Sequence, residues 1–129
     1  MSNNVLIVGL TGMPGAGKST LAKLLFKKGM PVVIMGDAVR EAAKRANLEM
    51  TDANLGNLMI RLRKEKGSGA IAYLVLDRIR SIIISSPNVN AIIVDGIRNI
   101  EEMKVLGSLG AVKLLAIHGS SLVRFKHVK

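Results

Sequence analysis

The sequence contains no cysteine and no tryptophan, and only one tyrosine and two phenylalanines. Without cysteine there are no disulfides and no thiolate metal sites, which fits a reducing cytosol, so the expected location is cytoplasmic. An aromatic fraction of 2% leaves almost nothing on which bases can stack. Long hydrophobic runs are missing too: stretches such as Ser81-Ile82-Ile83-Ile84 are far too short to span a bilayer. Met1-Ser2-Asn3-Asn4 lacks the basic start of a secretory leader. Acidic residues are scarce, 9 against 19 Lys plus Arg, for a formal net charge of +10. Such a balance favours anionic partners: nucleotides, nucleic acid or acidic lipid. Most of the cations are scattered as on solvated helix faces, Arg61-Leu62-Arg63-Lys64 and Arg124-Phe125-Lys126-His127-Val128-Lys129 excepted. A small anionic molecule is therefore the expected partner, and neither nucleic acid nor membrane is.

What is present is a globular composition. With 129 residues, 49% of them hydrophobic, the chain is expected to form one domain around a packed core. Its most informative stretch is Gly12-Met13-Pro14-Gly15-Ala16-Gly17-Lys18-Ser19, which reads G-x-x-x-x-G-K-[ST], the Walker A phosphate-binding loop. The apolar run Val5-Leu6-Ile7-Val8 before it reads as a buried strand. The segment Thr20–Lys28 after it has apolar residues at helical spacing and stops at Gly29. Strand, glycine loop and helix are the context that separates this motif from an ordinary glycine-rich turn.

The chemistry explains the spacing. Glycines let successive backbone N–H groups turn inward onto phosphate oxygens, and the helix N-terminus adds partial positive charge. The expected nucleotide site is thus Gly12, Pro14, Gly15, Ala16, Gly17, Lys18, Ser19 and Thr20. Lys18 is expected to reach the β- and γ-phosphates of ATP, and the Ser19 hydroxyl to ligate Mg2+.

Further apolar runs read as a second strand, Pro31–Met35, a third, Asn90–Asp95, and a fourth, Val112–His118; the first spans about Asn4–Leu10. All are continuously apolar, as strands covered on both faces are. Their alternation with helical patterns predicts an α/β fold: a three-layer α/β/α phosphate-loop architecture with a parallel sheet. Helices are expected over Asp37–Asn47 with Asp37 as cap, Thr51–Lys66 with Thr51 as cap, Ala70–Ser85, and Ile100–Leu109. The helical insertion after the second strand, about residues 38–70, is expected to be an acceptor-binding lobe over the phosphates.

Two more motifs stand at strand ends, where open parallel sheets bind ligands. Gly36-Asp37-Ala38-Val39-Arg40-Glu41 follows the second strand. Asp37 and Arg40, three apart, share a helix face, as a cap plus a surface arginine or as an acceptor site. Ile92-Ile93-Val94-Asp95 followed by Gly96-Ile97-Arg98 has the Walker B pattern, an acid after an apolar strand, which assigns Asp95 to Mg2+. Arg61 and Arg63 lie on the inserted lobe; Arg61 is taken as an acceptor ligand, with a solvated helix face as the alternative. His118 ends the fourth strand and reads as packed and neutral rather than catalytic.

With these motifs the chain resembles the phosphate-loop nucleoside monophosphate kinases, adenylate kinase above all. In that family the segment after the second strand reads like Gly36-Asp37-x-x-Arg40-Glu41. The segment after the third reads like Asp95-Gly96-x-Arg98, here one residue shorter than the family's Asp-Gly-Phe-Pro-Arg. The chain is similar over essentially its whole length to archaeal adenylate-kinase-related and dephospho-CoA-kinase-like proteins of unassigned substrate. They share the order Gly-Met-Pro-Gly-x-Gly-Lys-Ser, Asp-x-Val-Arg, Asp-Gly-x-Arg.

The resemblance implies a Mg2+- and ATP-dependent kinase whose Arg40 and Arg98 hold the acceptor's phosphate. It makes Lys18, Asp37 and Arg98 the catalytic set, with Asp37 on the attacking hydroxyl as in dephospho-CoA kinase. Ser120–Arg124 resembles the start of a lid helix, which implies that Arg124 touches the ATP phosphates. Beyond that point the family's last strand and remaining lid have no evident counterpart before Lys129. The fourth strand is therefore expected to be an open edge through which copies associate. Alternatives are a dephospho-CoA-type kinase and a nucleotide-binding module with little turnover.

Overall fold

The computed structural model describes residues 5–12, 18–117 and 123–128. Five strands and five helices follow one another as β1 (Leu6–Gly12), α1 (Lys18–Lys27), β2 (Val32–Ile34), α2 (Met35–Arg45), α3 (Asp52–Lys66), α4 (Ala70–Ser85), β3 (Ala91–Asp95), α5 (Ile100–Leu106), β4 (Ala111–Ile117) and β5 (Val123–Val128). They form one sheet in the order β2-β3-β1-β4-β5. β1 lies between β3 and β4, parallel to both, and β2 is parallel to β3. The expected α/β phosphate-loop architecture with a parallel four-strand core is what the chain adopts.

The strands are central because they are apolar on both faces. On one face Ile7, Val33, Ile92, Val94 and Val112 pack under Val39, Ala43, Ile71, Ala72, Val75 and Ile79 of α2 and α4. On the other, a small cluster of Leu10, Ala22 and Ile93 holds α1, with Leu21 and Leu25 alongside. Burying each such aliphatic side chain is worth about 1.5–3 kcal/mol, so most of the described core energy sits on the α2–α5 side.

Strand β5 corrects one expectation. It runs antiparallel to β4 in register Ile117↔Val123 through Val112↔Val128, so the β4 edge expected to be open is paired. Its first four residues, Val-Arg-Phe-Lys, alternate apolar and basic in the period of a strand, and His127 breaks the pattern. Lysine and arginine on an edge strand discourage further pairing.

Helix boundaries also differ, α1 running from Lys18 to Lys27. α2 starts at Met35, directly off β2, and its N-cap position is Ile34 with no side-chain cap bond. Asp37 is therefore a first-turn residue, where a carboxylate suits the positive end of the helix. α5 ends at Leu106, three residues early, and residues 107–109 form a turn. The caps at Thr51, which accepts from the Asn54 N–H, and Asn99, which accepts from the Glu102 N–H, are side-chain bonds of the ordinary kind.

Candidate active site

The carboxyl ends of β1, β2 and β3 converge on one edge of the sheet. β1 ends at Gly12 and α1 begins at Lys18, so the Walker A segment joins a central strand to a helix N-terminus. The first turn of α1 holds no acidic residue, so no carboxylate competes there for the positive helix end. Pro14, Gly15, Ala16 and Gly17 lie outside the described residues. Lys18, Ser19 and Thr20 open α1, with only their backbone described.

Asp95 ends β3 directly opposite Leu10 of β1 and is buried. The turn after it is stitched to β1, since the N–H groups of Gly96 and Ile97 both donate to the Leu10 carbonyl at 3.1 and 3.3 Å. Two glycines make this possible. Gly96 has φ +103°, a conformation that side chains resist. A Cβ on Gly9 would fall 2.1 Å from Ile97 Cδ1, so Gly9 lets Ile97 lie flat across the strand. The Walker B carboxylate is thereby fixed beside the strand that carries the phosphate loop.

Next to Asp95 is a cavity of about 410 Å³, within the range of small-molecule sites. One wall is apolar, from Ile34, Met35, Val39, Leu55, Met59 and Ile71. The polar groups are Arg40, Arg63, Arg98, Asp52 and Asp95. Arg40 and Arg98, far apart in sequence, are thus brought to one cavity as expected from the strand ends. Arg40 donates to Asp37 Oδ1 at 2.5 Å in an exposed i,i+3 pair. Exposed pairs hold by only about 0–1 kcal/mol, so a better anion can take Arg40 over.

Asp37 itself does not line this cavity; it faces a hollow of about 260 Å³ between α2 and α4. Arg61 is not brought to the cavity either: it points along the exposed side of α3, 3.8 Å from Glu65. The α3 arginine on the cavity is Arg63. Arg124 lies in β5 opposite Ala116, in a strand rather than in the expected lid helix. His118 lies outside the described residues.

The residue with no sequence-based expectation is Glu102. It is completely buried, yet carboxylates are seldom buried without partners. Its Oε1 accepts from the Arg98 N–H at 2.7 Å and its Oε2 from Arg63 Nη2 at 3.4 Å. The spacing Asn99-x-x-Glu102 was the available signal, because it matches a capping box. Here the carboxylate reaches one residue further back, to Arg98 instead of the Asn99 N–H.

A family model described as an AAA domain matches residues 11–113, from the end of β1 into β4. The chain belongs to the AAA-domain family. The chain is 41% identical over 125 residues to a UPF0200 protein of Methanocaldococcus jannaschii, covering 97% of the chain and 62% of that protein. It therefore spans less than two-thirds of that relative's length. To a UPF0200 protein of Thermococcus onnurineus it is 35% identical over 127 residues, 96% of the chain and 67% of the relative. Among solved structures it is similar to TT1252 of Thermus thermophilus, at 22% identity and TM-score 0.45 over 84% of this chain and 63% of that one. It is also similar to shikimate kinase of Aquifex aeolicus, at 22% identity and TM-score 0.41 over 82% and 56%.

A nucleotide with Mg2+ is what a phosphate-loop domain implies, and the donor set fits it. A buried carboxylate such as that of Asp95 is a hard oxygen donor of the kind Mg2+ takes. Mg2+ is usually held by one or two carboxylates together with phosphates and water, so no protein cage is needed. Among the described residues no three His, Cys, Asp or Glu side chains gather into one. No described helix is long and apolar enough to cross a membrane.

Proposed function

We propose that the domain is a Mg2+-ATP-dependent phosphotransferase acting on a small phosphorylated acceptor, most like a nucleoside monophosphate. The observation that supports this best is the meeting of Arg40, Arg63 and Arg98 on a cavity that also includes Asp95, beside the Walker A strand. Two anion-binding sites side by side are what transfer between phosphates needs, because the barrier falls mainly through positioning and charge neutralisation.

In this reading Gly12, the following loop and Lys18 bind the donor, and Ser19 and Asp95 hold the metal, which neutralises phosphate charge. Arg40, Arg63 and Arg98 hold the acceptor. Asp37 reaches the cavity only through its bond to Arg40. The test is transfer of label from γ-labelled ATP to a panel of acceptors that includes nucleoside monophosphates and dephospho-CoA. Transfer to a monophosphate supports the reading, and transfer to dephospho-CoA alone replaces it with the related kinase. Nucleotide binding with transfer at background overturns it in favour of a binding module. That module is favoured by one observation, the strand β5 in the place of a lid helix.

A further inference from the structure

α3 carries a glycine in its interior, Gly56, where alanine would be the better helix former. The usual structural reasons for glycine do not apply. Its φ is not positive, since the positive-φ glycines described are Gly12, Gly29, Gly67 and Gly96. Nor does anything press against it, because a Cβ built at Gly56 meets no heavy atom within 4 Å. By contrast, a Cβ on Gly69 would lie 2.8 Å from Val105 Cγ2.

What Gly56 faces is the cavity. Asp52, Leu55, Gly56, Met59 and Arg63 form one stripe of α3 along its wall. Gly56 sits mid-stripe, between the carboxylate of Asp52 at one end and the guanidinium of Arg63 at the other. Met35, Val39 and Ile71 belong to the same lining. A missing side chain here leaves room in the cavity and nowhere else in the packing.

We propose that Gly56 determines specificity: it leaves a bare stretch of helix against which the organic body of a phosphomonoester lies, with its phosphate at the arginines. This rests on the phosphotransferase reading for the existence of an acceptor. The occupant is amphiphilic, anionic at one end and with an apolar or flat body at the other, and is held by aliphatic and methionine side chains rather than aromatic stacking.

The test measures binding of AMP and of inorganic phosphate by calorimetry to the unaltered chain, Gly56→Ala and Gly56→Leu. The unaltered chain is expected to prefer AMP to phosphate by about tenfold or more, since an apolar wall discriminates by that order. The preference shrinks in Gly56→Ala and vanishes in Gly56→Leu, while phosphate binding is unchanged. Gly56→Ala should melt no lower than the unaltered chain, which separates lost room from lost fold. A Gly56→Leu chain that keeps the full AMP preference overturns the proposal, as does an unaltered chain that binds AMP no better than phosphate. A Gly56-dependent preference without transfer from ATP would retain the subsite and overturn the phosphotransferase reading instead.

Discussion

Arg63 of α3, which lines the cavity, and Glu102 of α5, thirty-nine positions away, are joined by an ion pair of 3.4 Å. Glu102 is fully buried and Arg63 about a quarter exposed. The same carboxylate takes the Arg98 N–H. One buried anion thus sets an arginine from the inserted helices against the loop that carries a second arginine.

Arg63→Ala removes the partner of a buried charge and is expected to cost about 3–5 kcal/mol. Glu102→Gln keeps an acceptor for the Arg98 N–H and should cost clearly less. Adding Glu102→Gln to Arg63→Ala should recover part of the loss, since no charge is then stranded. Urea unfolding of the three variants checks the order. Equal losses for the two single variants would contradict the pairing.

Lys18→Ala should weaken ATP binding by about 1.5–3 kcal/mol, the worth of a hydrogen bond to a charged group. Titration calorimetry in the presence of Mg2+ measures it. Unchanged affinity would remove the Walker A segment from the site.

Arg40→Ala and Arg98→Ala should raise the acceptor's KM or lower kcat while leaving ATP affinity nearly intact, because both side chains line the cavity reached from β2 and β3. Neither should lower the melting temperature much, as both are exposed. Loss of ATP affinity in both would reassign the two arginines to the donor.

With β4 paired to β5, the 129-residue chain is expected to sediment as a monomer at micromolar concentration. Ending the chain before Val123 exposes the β4 backbone and should produce association. Monomeric behaviour of the shortened chain would show that strand exposure alone does not drive it.

The parallel sheet was legible because β1, β3 and β4 are largely apolar runs, broken in β4 by Lys113, and the Walker A spacing fixes which of them precedes the loop. The cap at Thr51 announced α3. β5 was hidden because Arg124, Lys126 and His127 read as a basic cluster in a six-residue run too short and too charged to announce a strand. Arg61 and Arg63 were indistinguishable for a different reason. Apolar residues are spread around α3, from Leu55 to Leu58, Ile60 and Leu62, so the sequence does not say which side faces inward. Burial of Glu102 depends on Arg63 arriving from another helix, which no local pattern encodes.

The unequal cores on the two sides of the sheet have a consequence for motion. Among the described residues α1 rests on the small Leu10–Ala22–Ile93 cluster and the partly buried residues around it, and its Leu24 and Phe26 are exposed. The helix that follows the phosphate loop is thus the least buttressed layer described, and local opening begins where apolar burial is least. Its amide hydrogens should exchange with solvent before those of α4, and a ligand that grips its first turn should slow them most.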